Sequence, residues 1–272
     1  FPSVAVIVAE ADKVTIYDGD TPYLDMWMKF TSSTSNMLRV YNNQPLEAVV
    51  MLNAKMATGA AGNGYGLTVI DLLSEVGINY DPTASENTKS YANIEQRNDS
   101  LGQMAGSHGN IVNSTVNDIA MTVLPNAPID STTGLPIPTI AVATDGGVSV
   151  IKDDGTVVDI TGHPEVVIHW VEFSKDSKYI HSQGSYASQI SKFLIPSADT
   201  TIASAEYEFS NTYYQRYNGT FVTPAILGGI SPNEEVIGIE EHFYSPLGLT
   251  VLKENTTDYT KGSVAYLTST SH

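Results

Sequence analysis

Thr139-Ile140-Ala141-Val142-Ala143-Thr144-Asp145-Gly146-Gly147-Val148-Ser149-Val150-Ile151-Lys152-Asp153-Asp154-Gly155-Thr156-Val157-Val158-Asp159-Ile160 decides how this chain is read. Three short runs, each rich in Val, Ile or Ala, are separated by Asp-Gly punctuation. Asp-Gly between alternating apolar runs is a strong hairpin signal, because both residues tolerate the positive φ that tight turns need. The stretch therefore reads as a three-stranded meander.

The same grammar recurs outward from it. Gly147-Val148-Ser149-Val150-Ile151-Lys152 has counterparts in Gly66-Leu67-Thr68-Val69-Ile70-Asp71 and Gly248-Leu249-Thr250-Val251-Leu252-Lys253. Val14-Thr15-Ile16-Tyr17-Asp18 is a looser copy, and Ser188-Gln189-Ile190-Ser191-Lys192-Phe193-Leu194 fills the equivalent place in a further unit. A second element also repeats: Phe173-Ser174-Lys175-Asp176-Ser177-Lys178-Tyr179-Ile180 matches Ile230-Ser231-Pro232-Asn233-Glu234-Glu235-Val236-Ile237, and both read as strand, tight turn, strand. The one helical candidate, residues 67–76, is too short and is bounded by Gly66 and Gly77. Self-similarity of this kind points to an all-β repeat architecture: a β-propeller of about five irregular blades, each of about 40–50 residues. It is either a complete ring or part of a larger one. A single domain covers residues 1–272. The chain opens at Phe1 inside an apolar run and closes at His272 just after another, so a piece of a longer polypeptide is expected.

On these residues two resemblances arise. The Ser-x-Asp-x-Lys-Tyr-Ile hairpin at residues 174–180 resembles the blade turn of the WD-repeat and TolB-like propellers, with Lys175 and Ser177 standing where that family has Pro and Gly. Residues 140–161, 100–126 and Lys261-Gly262-Ser263-Val264-Ala265-Tyr266-Leu267 resemble propeller regions of tailed-phage tail-fibre and other virion structural proteins. That resemblance implies a virion setting, folding in a host cytoplasm, and partners among other virion proteins or copies of the chain itself. It also implies a possible host surface glycan as receptor.

Composition narrows the function classes. Of 272 residues only 13 are basic against 30 acidic, for a net charge of −17. Nucleic acid is disfavoured, because phosphate binding draws on clustered Lys and Arg. An anionic membrane surface is disfavoured for the same reason. Apolar runs such as residues 4–9 fall far short of the roughly 20 residues that span a bilayer, so no membrane insertion is expected. There is no cysteine, so disulfides and thiolate metal sites are excluded.

Candidate chemistry is sparse. Asp145-Gly146-Gly147, Asp153-Asp154-Gly155 and Asp18-Gly19-Asp20 with Asp25 lack alternating Ca²⁺-loop spacing and read as turns. His163, His169 and His181 have even spacings, but the turn at residues 174–178 breaks any strand they would share; no metal is expected. Glu240-Glu241-His242, with Glu234-Glu235 before it, carries paired carboxylates of the kind that hydrolyse glycosides. A solvated strand end explains them as well. Asn63-Gly64-Tyr65-Gly66 lacks the Lys-Ser or Lys-Thr and the helix of a phosphate cradle, and Gly184-Ser185-Tyr186 does not complete a nucleophile elbow. No cofactor is expected. Tyrosines are the remaining signal, at Tyr207, Tyr213, Tyr214, Tyr217 and Tyr259. Tyr213, Tyr214, Arg216 and Tyr217 are the expected contact surface, since Tyr gives large contact area at small entropic cost. The resulting expectation is a non-enzymatic structural or binding module of a tailed phage (tail, fibre or head appendage). The alternatives are a carbohydrate-active propeller enzyme and a bacterial extracellular adhesion domain.

Overall fold

The computed structural model describes residues 2–201 except 33–35, 40–43, 62–65, 83–87, 100–101, 107–108, 132, 163–166 and 185–189. Beyond these it describes the strand backbones 207–209, 227–233, 236–241, 248–253 and 263–268. Among the described residues the strands form five sheets. The first holds β1 (Ala5–Glu10), β2 (Lys13–Asp18) and β3 (Met26–Thr31). The second runs β4 (Leu46–Leu52), β5 (Lys55–Ala60), β6 (Leu67–Asp71), β7 (Val76–Tyr80), β8 (Thr88–Ser90) and β9 (Gln103–Gly106). The third holds β10 (Val116–Thr122), β11 (Thr139–Thr144), β12 (Gly147–Ile151) and β13 (Val157–Thr161). The fourth begins β14 (Ile168–Phe173), β15 (Tyr179–Gly184), β16 (Ile190–Leu194). The chain then sends β17 (Thr200–Thr201) back onto β13, in parallel, before β18 (Tyr207–Phe209) completes the fourth sheet. The fifth is β19 (Leu227–Asn233), β20 (Val236–Glu241), β21 (Gly248–Lys253) and β22 (Ser263–Thr268). Every other pairing among the described residues is antiparallel, and all of these but β16 with β18 join neighbours in sequence.

The first strands meet in series: β1 against β4, β4 against β10, β10 against β14, β14 against β19. Successive sheets therefore stack face to face about their first strands, which is the arrangement of a β-propeller. The meander read from residues 139–160 is β11 to β13. The three glycine-led repeats are β6, β12 and β21, each the third strand of its sheet, and β16 holds the same place in the fourth. The looser copy at residues 14–18 differs: it is β2, a second strand.

Burial explains the apolar pattern. β6, β11 and β12 are buried along their whole length, because a sheet inside the stack has a neighbour on both faces. Period-2 alternation then feeds two different cores from one strand. Ile140 and Val142 join Ala57, Val69 and Tyr80 between the second and third sheets. Ala141 and Ala143 join Phe173, Ile180 and Phe193 between the third and fourth. Alanines thus leave room for the two phenylalanines of the facing sheet, and burying each such ring is worth roughly 1.5–3 kcal/mol. Between the first and second sheets Val14, Ile16 and Phe30 meet Met56, Ile70 and Leu72.

The recurring glycine has a backbone cause. Gly66 sits at φ +64°, and a Cβ there would lie 2.5 Å from the Tyr80 carbonyl oxygen on the fourth strand. Gly147 sits at φ +135°, and its Cβ would collide with the Ile160 carbonyl oxygen, again on the fourth strand. The entry to the third strand is too close to its neighbour for any side chain.

The stretch from residue 79 to 113, irregular as a sequence, widens the second sheet with β8 and β9 and inserts a short 3-10 helix (Ile94–Asn98). The buried Arg97 holds it. Its Nε and Nη2 donate to Glu75 at 2.6 Å each, Nη2 also to the Leu72 carbonyl at 2.7 Å, and the guanidinium lies 5.7 Å from the Phe30 ring centre. Asn98 closes the free edge of β3: its side chain accepts from Thr31 N–H and donates to Lys29 C=O, each at 2.7 Å.

Two outcomes are expected in urea unfolding. Gly147→Ala, which adds both a disfavoured φ and a clash with backbone, costs about 3 kcal/mol or more. Gly155→Ala, at φ +83° with nothing within 4 Å of its Cβ, costs about 1 kcal/mol. Arg97→Ala strands the Glu75 carboxylate and is expected to lower stability by about 3–5 kcal/mol, read as a fall in the thermal midpoint.

Candidate functional site

The stack is not filled everywhere. Where the β6–β7 and β12–β13 turns lie, a cavity of about 330 Å³ opens between the second and third sheets. Its walls are Val69, Ile78 and Tyr80 on one side and Ile140 and Ile151 on the other. Ile137 and Pro138 line it as well. These belong to the connection 123–138 between β10 and β11, where the first-to-second turns of the first, second and fourth sheets span only a few residues.

This insertion is a folded piece. Ile129 bridges Pro136, Ile137 N–H donates to Pro128 C=O at 2.9 Å, and Gly134 N–H donates to Asp130 C=O at 2.8 Å. It is tied to the second sheet at the β4–β5 turn, where Asn53 and Ala54 both have positive φ. Asn53 Nδ2 donates to the Pro136 carbonyl at 2.7 Å. Beside it Lys55 Nζ lies 2.6 Å from Asp71 and 3.8 Å from Asp130. Burial works to raise the Asp71 carboxyl, but the Lys55 ammonium and the N–H groups of Ser74 and Leu73 prevail and hold it below the usual range.

A second polar feature joins the third and fourth sheets at their inner edge. Inner strands leave one row of backbone groups without a strand partner. A bulge at Val116/Asp118 turns two adjacent residues of β10 toward that row on β14. Asn117 Nδ2 donates to the Ile168 carbonyl at 2.8 Å, and Asp118 Oδ2 accepts from Val171 N–H at 3.0 Å. Burial pushes the Asp118 carboxyl up to about 6, against the N–H groups of Val171 and Ile119. Glu172 is also raised, by burial first and by the Asp118 charge in addition. Opposite Glu172 in the β14–β15 register lies His181, buried and held down at about 4 by desolvation and then by Lys192.

The sequence-derived candidates fall as follows. Tyr213, Tyr214, Arg216 and Tyr217 lie outside the described residues, as do Tyr259, His163, residues 62–65 and residues 185–189. Tyr207 belongs to β18. Glu240 and Glu241 end β20, the second strand of its sheet, paired with Gly229 and Leu227. His169 and His181 stand on different strands, and the register pairs His181 with Glu172. Among the described residues no group of three or more His, Asp or Glu is placed to hold a metal ion. Asp154 is a turn residue whose Oδ1 accepts from Thr156 N–H at 2.9 Å. Asp145 accepts from Asn117 Nδ2 at 2.9 Å. No helix among the described residues is long and apolar enough to cross a membrane.

Sequence reasoning passed over the cavity and the Asn117–Asp118 pair. The one signal for the cavity was length: sixteen residues, 123–138, between two strands that elsewhere are joined by tight turns.

No family model matches the chain, and no curated protein matches it. Solved structures do. Hydrazine synthase of Kuenenia stuttgartiensis is similar over 95% of this chain and 60% of its own, at 13% identity and TM-score 0.54. A chain of a humanized mutant of the Chaetomium thermophilum Polycomb Repressive Complex 2 is similar over 95% and 50%, at 12% identity and TM-score 0.54. Hsv2 of Kluyvelomyces marxianus is similar over 97% and 67%, at 8% identity and TM-score 0.50. The chain spans half to two thirds of the length of these relatives in structure. At such identity the likeness shows the fold: the chain is an all-β protein of β-propeller type.

Asp118 has a consequence for pH dependence. Its folded value of about 6 lies above the roughly 3.9 of an unfolded Asp, so the folded state holds the proton more tightly. The stability this group contributes is full below about pH 4 and is lost as pH rises toward about 6. Asp118→Asn keeps an acceptor for Val171 N–H and removes the charge. It is expected to be more stable than the wild type at pH 8 by on the order of 2–3 kcal/mol, and no more stable at pH 4. Urea midpoints measured across that range check this.

Proposed function

We propose that the chain is a non-enzymatic propeller module that binds protein partners as part of a tailed-phage virion, in the tail, a fibre or a head appendage. The observation that carries the binding half is on the first sheet. Ala5, Ile7 and Ala9 of β1 pack inward, while Val4, Val6 and Val8 project from the other face, 55%, 38% and 39% exposed. The described interfaces between the first four sheets bury such residues, so a valine row left in solvent is a surface suited to a protein neighbour. That neighbour is a copy of the chain or another virion protein. The virion setting is supported by the resemblance carried by residues 140–161, 100–126 and 261–267, and by a surface with few charges and a net charge of −17. One of the structural relatives is named as a multi-protein complex, in keeping with a propeller that works through protein contacts. The binding role extends to Tyr213, Tyr214, Arg216 and Tyr217 as a second contact surface, with a host surface glycan as its ligand.

Light scattering of the purified chain tests the reading. Self-association, or capture of a virion protein from purified particles, is expected, and Val6→Asp with Val8→Asp is expected to abolish it while leaving the thermal midpoint within about 1 kcal/mol equivalent. A monodisperse monomer that captures no virion protein overturns the proposal. So does glycan hydrolysis that disappears in Glu240→Gln, which would make the chain a carbohydrate-active enzyme.

A further inference from the structure

The cavity under the 123–138 insertion has a chemistry of its own. Its volume of about 330 Å³ stands at the small end of ligand pockets, which run roughly 300–1,000 Å³. That is room for one large side chain. The strand residues of its walls are mostly apolar, and the charged and small polar groups come from the rim: Lys55, Asp71 and Ser74 at the start of β5 and the β6–β7 turn, Lys152, Asp153 and Gly155 in the β12–β13 turn. The cations there are already engaged. Lys55 faces both Asp71 and Asp130, and Lys152 Nζ donates to the Ser197 carbonyl at 3.2 Å. Among the described residues no hydrogen bond or ion pair engages the Asp153 carboxylate. Asp71 and Asp153 of the rim, with Asp130 beside Lys55, set three carboxylates against two ammonium groups and leave the surroundings of the opening acidic, on a chain whose net charge is −17.

The surroundings widen this into a surface. Leu73, between the rim residues Asp71 and Ser74, is 49% exposed, and Ile129 and Leu135, on either side of Asp130 in the insertion, are 61% and 37% exposed. Large apolar side chains left in solvent beside an apolar cavity suit a chain that lies across the opening, more than a small molecule held inside it.

We propose that this cavity is the docking site for an extended segment of a partner protein, which inserts one large apolar side chain between the second and third sheets and presents an adjacent Lys or Arg to Asp153. Apolar walls supply the affinity. The acidic rim selects the neighbour of the inserted side chain, since an unpaired carboxylate at the edge attracts a cation and repels another carboxylate. The insertion is part of the site, because Ile137 and Pro138 line the cavity together with the two sheets. The inference rests on the protein-binding role proposed above and assigns to it a third surface, distinct from the valine row of β1 and from the tyrosines at 213, 214 and 217.

Fluorescence anisotropy with labelled Gly/Ser peptides tests it, the probes carrying Phe-Arg, Phe-Glu or Ser-Arg at their centre. The Phe-Arg peptide is expected to bind about tenfold or more tightly than either of the others, and to weaken as salt is raised to about 0.5 M. Ser74→Trp, which fills the mouth, is expected to abolish binding, and Asp153→Lys to weaken Phe-Arg about tenfold while improving Phe-Glu. Near-ultraviolet circular dichroism confirms that both variants are folded, and Asp153→Asn serves as the milder substitution should Asp153→Lys fail to fold. Equal affinity for the three peptides, no measurable binding, or binding indifferent to both variants overturns the proposal. Light scattering on the same samples separates the two readings: self-association that persists while peptide binding fails removes the cavity assignment alone.

Discussion

Everything in this molecule follows from sheets that stack face to face about their first strands. A sheet in that position has no solvent face except at its ends, so its central strands must be apolar or small on both sides. β11 shows the consequence within six residues: Ile140 and Val142 serve one interface, Ala141 and Ala143 the other. The small residues are as necessary as the large ones, since the phenylalanines of the fourth sheet occupy the space the alanines leave. Stacking also forces the inner strands to expose one backbone edge, and the side chains of Asn117 and Asp118 attend to that edge where β14 bulges.

The parts of the fold written most plainly in the sequence are those fixed by local chemistry. The third strands of the second and third sheets repeat because Gly66 and Gly147 at their entry lie against a carbonyl of the next strand, and because their interiors suit two buried faces. The turn at residues 174–178 was legible through Ser174 and Asp176, which bond each other and the following N–H groups. Its departure from the WD-repeat pattern has a physical answer. Ser177 occupies φ +55°, where that family's glycine would sit without strain, and its hydroxyl is bonded to Thr122 of the neighbouring sheet at 2.7 Å. First strands were harder to read. They are half-exposed, as the patterns of β1 and β4 show, so their alternation is diluted and the spacing between repeats alone had to imply them.

The candidate site was far less legible, for a reason of distance. The cavity draws on β5, β6, β7, β11, β12 and two turns, and part of its lining comes from an insertion whose residues carry no periodic signal. Nothing in Asn53 or Lys55 announces that a loop about eighty residues away will be anchored there; the tie exists only once the second and third sheets stand together. Asp118 was invisible for the opposite reason. A lone acidic residue in a strand reads as solvent-facing, and only the bulge turns it into the seam. The tyrosines at 213, 214 and 217, by contrast, were conspicuous as sequence and belong to a segment outside the described residues.

The short return of β17 onto β13 carries a mechanical consequence. Two residues, Thr200 and Thr201, pair in parallel with Ile160 and Thr161, and Asp199 accepts from Asp159 N–H at 3.0 Å beside them. The third and fourth sheets are thereby fastened at the rim as well as at their inner strands. A load that tries to spread them like the leaves of a fan meets a clasp at each end, and because the rim bonds run between parallel strands, tension along the chain shears them together instead of peeling them singly. Among the described residues these are the two sheets joined by a strand pairing at the rim, so parting them means breaking that pairing in addition to the inner packing.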